Sequence, residues 1–195
     1  MRDLGVTSTV APLVPDSVLP LIAAITTFGS PTIVAVFGVG GALLGAATDR
    51  LDRRTALRFV AVLGLALTAS LVIKNGLALP RPPAALHRVP EDGFGFPSGH
   101  VTATTGWTLA AAALSRYGTR RLRYGLVSLA IVAMAATRVL LGVHYLVDVV
   151  AGALLGAGAV WVGLRATKRH LGATYALVVV GAAVGLFLKW GYSVS

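Results

Sequence analysis

The sequence predicts an all-α fold, a polytopic transmembrane bundle of about six spans, and three observations carry that reading. Of the 195 residues 56% are hydrophobic and 12% charged, with a mean hydropathy of +0.81, more apolar surface than one soluble core can hide. Apolar stretches of the roughly 20 residues needed to cross hydrocarbon fill nearly the whole chain. The breaks between them are short and basic. One helical domain therefore accounts for residues 1–195.

From the start, Met1 to Pro15 lacks a basic region followed by an apolar run and meets Pro12 and Pro15 early. It does not read as a cleaved signal peptide. The segment from Asp16 to Gly29 is apolar but short, is broken by Pro20 and runs into Gly29-Ser30-Pro31. This predicts an interfacial helix within residues 1–29 instead of a seventh span. Spans follow near 30–49, 55–79, 98–115, 121–141, 145–166 and 172–190. Connections are terse except Pro80 to Pro97, which holds Arg81, His87, Arg88, Glu91 and Asp92. Long loops between packed elements are often functional. Gly41 with Gly45, Gly152 with Gly156 and Gly181 with Gly185 have the spacing of close helix packing. Trp190 and Tyr192 fit an interfacial aromatic belt, and Trp107 and Trp161 read as lipid-facing or packed.

The net charge of +10 does not point to nucleic acid, because the basic residues sort by loop and form no single patch. Arg50, Arg53, Arg54 and Arg58 flank one break, Arg116, Arg120, Arg121 and Arg123 a second, and Arg165, Lys168 and Arg169 a third. These breaks fall on one membrane face, which the positive-inside rule makes cytoplasmic. They hold eleven of the seventeen Lys and Arg residues. The other six are Arg2, Lys74, Arg81, Arg88, Arg138 and Lys189, in or near the opposite face. Cysteine is absent, so disulfides, thiolate metal sites and thiol nucleophiles are excluded.

The candidate chemistry lies at that opposite face. Lys74 is inside the second span near its outer end, where a cation is expensive unless paired or facing a polar cavity. Arg81 follows between Pro80 and Pro82, where the backbone cannot continue a helix. The third span opens with Pro97-Ser98-Gly99-His100. There Ser98 can cap the helix, Gly99 lets a ligand approach the backbone, and free N–H groups face an anion. Arg138 ends the fourth span and Gly142 offers a break. His144 and Asp148 then stand at i and i+4, on one face of the fifth helix. An Asp at that spacing can accept the proton of one imidazole nitrogen and leave the other free as nucleophile or base. Three cations, a helix start, two histidines and a carboxylate, all from outer ends of spans, match the needs of phosphoryl transfer. No metal or other cofactor is required. A metal site on His100, His144 and Asp148 has sensible ligand types, but three neighbouring cations would repel a divalent ion.

These blocks resemble the signature of the type 2 phosphatidic acid phosphatase (PAP2) superfamily, K-x6-RP, then PSGH, then SR-x5-H-x3-D. The corresponding residues are Lys74 through Arg81-Pro82, then Pro97-Ser98-Gly99-His100, then Arg138 through His144 to Asp148. They occur in the family's order, and the resemblance covers roughly residues 20–166. Thr137 stands where the family usually has Ser, which keeps a hydroxyl. The resemblance implies that His144 is the nucleophile, Asp148 its orienting partner and His100 the acid and later base. Lys74, Arg81, Ser98, Gly99 and Arg138 would cradle the phosphate.

The expected function is hydrolysis of a lipid phosphate or polyprenyl diphosphate at the extracytoplasmic side of the cell membrane, through a phosphohistidine. Phosphatidate-like lipids, polyprenyl diphosphates and phosphatidylglycerophosphate-like lipids all qualify as substrates, and the expected partners are such lipids and the membrane. Two rival readings use the same residues. A lipid phosphotransferase would run through the same intermediate. An anion channel or transporter would line its path with Lys74, Arg138 and Asp148. His87 and His170 sit in loops between spans and read, like Arg88, as ordinary loop residues.

Overall fold

Six long helices form where apolar length and charged punctuation put them. The computed structural model describes residues 5–193. The long helices are α3 (Pro31–Ala47), α4 (Arg53–Leu77), α5 (Gly99–Leu114), α6 (Arg120–Leu140), α7 (Leu146–Arg169) and α8 (Leu171–Ser193), preceded by the short α1 (Val6–Val10) and α2 (Leu19–Phe28). No strand occurs among the described residues. Arg2 lies outside them.

Local chemistry sets several boundaries. Before α3, Ser30 Oγ accepts the Ile33 N–H at 3.3 Å. Before α4, Asp52 Oδ1 accepts the Thr55 N–H at 3.0 Å. Before α6, Thr119 Oγ1 accepts the Leu122 N–H at 3.2 Å. Each satisfies an N–H that a helix start leaves without an intrahelical partner. α4 ends at Ala78, whose φ of 49° is left-handed, and Pro80 and Pro82 prevent its resumption.

The helices differ in reach. α4, α6, α7 and α8 are long and apolar enough to cross a membrane. α3 and α5, with 17 and 16 residues, extend only about 25 Å at ~1.5 Å per residue, short of the ~30 Å of hydrocarbon. α5 is nevertheless central, since Val101 to Gly106 are all buried among α3, α4, α6 and α7. The N-terminal segment is a bent pair whose arms, Val6–Leu13 and Asp16–Phe28, meet at 89°. By length and composition four spans, or five with that bent pair taken as one, replace the six expected, because α3 and α5 are too short.

Val34, Phe59, Leu63, Ala103 and Val160 join α3, α4, α5 and α7 in the main core. Outward, α8 exposes Leu177, Val180, Leu186 and Phe187, an apolar belt that water would penalise and lipid accepts. Glycine governs the closest approaches. Side chains at Gly152 and Gly156 would press into Ser98 and Thr105 of the α5 side, and at Gly181 and Gly185 into Thr68 and Leu71 of α4. Gly41 and Gly45 depart from the packing role expected of them. Nothing lies within 4 Å of a Cβ built at Gly41, and Gly45 meets only Leu51 of the following loop. That stretch of α3 borders an open groove.

Candidate active site

Chain reversal between helices brings the C-terminal ends of α4 and α6 and the N-terminal ends of α5 and α7 to one face of the bundle. A Cβ at Gly99 would stand 3.4 Å from Pro31 Cγ and 3.9 Å from Lys74 Cε, so the start of α5 looks across at Lys74. The Asp148 carbonyl accepts the Ser98 N–H at 3.0 Å, which ties the start of α5 to the first turn of α7. The α6–α7 turn depends on Gly142, at φ +71°, where any Cβ would collide with the Leu86 carbonyl.

Arg81 is the hub of this face. Its Nε donates to the carbonyls of Asp92 and Gly93 at 3.2 and 3.1 Å. Its Nη1 donates to the Val143 carbonyl at 3.1 Å and to His144 Nε2 at 3.0 Å. Guanidinium has no acceptor, so His144 Nε2 presents its lone pair and the ring proton sits on Nδ1. Nδ1 stands 3.5 Å from Asp148 Oδ2. That same oxygen accepts the Tyr145 N–H at 3.0 Å, which fixes the carboxylate at the third position of α7. His144 itself precedes α7 in the turn, not on the helix as the i, i+4 spacing suggested, and the pair meets across the helix start. His144 is buried. Burial first, then the charges of Arg81, Lys74 and Arg138, hold its imidazole well below the usual histidine range, so the ring is neutral.

Lys74 Nζ donates to the Phe94 carbonyl at 2.8 Å. Ser98 occupies the cap position of α5, yet its hydroxyl makes no cap bond and is buried without a partner. The expected cap is absent, and the hydroxyl is free for a ligand. His100 is half-buried, and its imidazole makes no hydrogen bond among the described residues. It lies within electrostatic reach of Arg138, Glu91, Arg81 and Lys74. Thr137 Oγ1 donates to the Met134 carbonyl at 2.7 Å and so turns into its own helix.

Three participants escaped the sequence reading. Glu91 pairs through one oxygen with Arg138 and through the other with Arg81 at 3.3 Å. Burial alone would raise its carboxyl, but the Arg138 and Arg81 guanidiniums outweigh that and hold it below the usual carboxylate range. Thr26 of α2 accepts from Arg138 Nη1 at 2.8 Å, and Thr7 of α1 donates to the His144 carbonyl at 2.9 Å. A carboxylate in a long loop opposite several cations was the available signal for Glu91. Nothing local marks the two threonines. Arg88, read as an ordinary loop charge, pairs with Asp16 and donates to the Val14 carbonyl at 3.3 Å, fastening the Pro80–Pro97 loop to the N-terminal segment.

Residues 55–171 match the PAP2 superfamily. The chain belongs to that superfamily. The matched PAP2 region takes in all eight residues from Lys74 to Asp148 and leaves out Thr7 and Thr26. The architecture agrees. A solved structure described as the first transmembrane PAP2 type phosphatidylglycerolphosphate phosphatase, from Bacillus subtilis, superposes with a TM-score of 0.71 at 21% identity, over 85% of this chain and 84% of that one. At that identity the likeness shows a transmembrane PAP2 fold. No match is found among curated proteins.

Proposed function

We propose that this PAP2 chain is a membrane phosphatase that hydrolyses a lipid phosphate or diphosphate through a phosphohistidine at Nε2 of His144. The observation that carries the reading is the placement of the His144 ring, its Nε2 3.0 Å from Arg81 and its Nδ1 3.5 Å from Asp148. An imidazole so oriented is a nucleophile beside the cation that would bind its target.

In the proposed cycle the substrate phosphate displaces the Glu91 carboxylate from Arg81 and Arg138 and takes up the Ser98 hydroxyl, the start of α5 and Lys74. The Nε2 lone pair forms a bond to phosphorus, and the P–O bond to the leaving group breaks with its electron pair on oxygen. Protonated His100, supported by the charge of the incoming phosphate, gives that oxygen its proton. Asp148 stabilises the positive ring that results. His100, now neutral, takes a proton from water, whose oxygen attacks phosphorus while the P–N bond returns its electrons to His144. Inorganic phosphate leaves, and Glu91 re-forms its pairs.

The reaction needs an amphiphile whose head group reaches the mouth of the bundle from the leaflet. The Bacillus subtilis protein's description supports a lipid phosphomonoester, and diphosphates fit the same cradle. Eleven of seventeen Lys and Arg residues lie at the other end of the bundle, which supports a site on the extracytoplasmic side of the cell membrane. Phosphate release by the detergent-solubilised protein, screened over phosphatidate, phosphatidylglycerophosphate and polyprenyl diphosphate, tests the reading. Parent activity on at least one is expected, and His144→Ala should abolish it along with acid-labile phosphate labelling. Activity of His144→Ala within about tenfold of the parent, worth only ~1.4 kcal/mol, would sink the covalent scheme.

A further inference from the structure

A second concave site lies at the basic end of the bundle. Its volume is about 700 Å³, within the roughly 300–1,000 Å³ of ligand-binding clefts. It is bounded by α3 at Gly38, Gly41 and Ala42, the start of α4 and the last turns of α5, so the length of those helices separates it from His144. Its origin is a missing neighbour. α2 ends where Gly29 meets Met134 of α6 and Thr104 of α5, and it packs mainly on α6. Beyond Trp107 no helix among the described residues covers the opening between α3 and α5, and a Cβ built at Gly41 would meet nothing within 4 Å.

The groove is ordered from charge to hydrocarbon. At its mouth Arg50 and Arg116 are exposed, and neither guanidinium has a hydrogen-bond or ion-pair partner among the described residues. The acid that lines it, Asp52, accepts the Thr55 N–H as the cap of α4 and lies within electrostatic reach of Arg116, so two guanidiniums face one carboxylate and the mouth keeps a net positive charge. Further along α3, α4 and α5 from the basic end, Phe37, which is largely exposed, Phe59 and Trp107 present aromatic surface. A free anion would gain nothing from that surface. The cation of a zwitterionic head group would face two guanidiniums.

We propose that this groove binds an anionic membrane phospholipid of the basic-loop leaflet, with its phosphate on Arg50 and Arg116 and its acyl chains along Phe37, Phe59 and Trp107. Basic pockets between transmembrane helices suit such head groups because the charge pairs at the interface while the chains stay in the apolar layer. The site is independent of the proposed chemistry at His144.

The test uses Trp107 as reporter. The chain has three tryptophans, and Trp161→Phe with Trp190→Phe leaves Trp107 alone. The full-length protein is placed in phosphatidylcholine nanodiscs, and increasing mole fractions of phosphatidylglycerol or phosphatidylcholine with brominated acyl chains are introduced. Half-quenching is expected at a several-fold lower mole fraction of the brominated phosphatidylglycerol. Arg50→Gln with Arg116→Gln should remove that preference, and so should Ala111→Phe, which fills the groove and keeps both charges. Arg120→Gln with Arg121→Gln, on the same face but outside the groove, should leave it intact. Equal quenching by both lipids overturns the proposal, as does no quenching by either, the result if a second copy covers the groove. A preference that survives Arg50→Gln with Arg116→Gln also overturns it. An equal loss in the Arg120 and Arg121 variant would replace the site with diffuse surface attraction.

Discussion

The carboxylate of Glu91 is ion-paired with the guanidinium of Arg138, a side chain only 1% exposed. With its second oxygen on Arg81, Glu91 stands where the proposed cycle puts the substrate phosphate. An internal anion at that position neutralises two cations that would otherwise be costly to hold together inside a membrane protein. In the proposed cycle it also competes with the phosphate that enters.

Glu91→Gln should therefore tighten vanadate and inorganic phosphate inhibition by about tenfold, a change of ~1.4 kcal/mol, and lower the melting temperature of the ligand-free protein. The Glu91 carboxyl is held below its ordinary value of 4.5, so its stabilising effect is full above that pH and is lost as pH falls through its lower folded value. The melting gap between parent and variant should be constant from neutral pH to about 5 and close in stronger acid. Thermal scans across pH would show it. A gap that widens with acid would refute the assignment.

Asp148→Asn isolates orientation from folding. The amide oxygen can still accept the Tyr145 N–H that Asp148 now receives at 3.0 Å, so the start of α7 should hold. The negative charge beside Nδ1 is lost, and with it the stabilised positive ring. A fall in kcat on the order of 10²–10⁴ is expected with little change in melting temperature. Near-parent kcat would leave Asp148 a helix cap and nothing more.

His100→Ala should do damage that depends on the leaving group. An alkyl phosphomonoester needs the proton, and the loss should fall within ~10²–10⁴, mostly in forming the intermediate. An activated aryl phosphate, or a diphosphate, should form the phosphoenzyme with a much smaller defect and then hydrolyse it slowly, giving a burst in rapid-quench experiments. Equal first-step losses for both substrate types would assign His100 to positioning phosphate.

The basic-loop asymmetry predicts opposite sides for Arg121 and Ala85. Both are exposed, and Ala85, unlike Arg88, takes no part in the clasp to Asp16. In intact cells an impermeant thiol reagent should label Ala85→Cys and spare Arg121→Cys. The reverse pattern would put the candidate active site on the cytoplasmic face.

What the sequence made legible followed from chain-local rules. Lys74, Arg81, Ser98, Arg138 and His144 could be found because each sits at a helix end, where apolar length, proline and charge mark the boundary. The six long helices lie within three residues of the boundaries read from composition. What stayed hidden depends on tertiary packing. Thr26 and Thr7 are ordinary hydroxyls until α2 and α1 fold back onto α6 and the His144 turn. Ser98 has a capping residue's identity, but the fixed start of α5 buries its hydroxyl away from the helix N–H groups. Gly41 and Gly45 have the spacing of a packing pair, yet the absence of a helix opposite them left a groove that no spacing rule announces.

The clasp formed by Thr7, Thr26 and the Arg88–Asp16 pair gives the molecule a divided inheritance. Residues 55–171 carry the superfamily match, while part of the wall around Arg138 and His144 is built from outside it. Because Thr7 and Thr26 bond to His144 and Arg138 themselves, exchanging that segment would alter the support of both residues. Grafting another N-terminal segment onto α3 would change the shape and polarity around the mouth and, under the proposed function, the fit of the lipid that enters it.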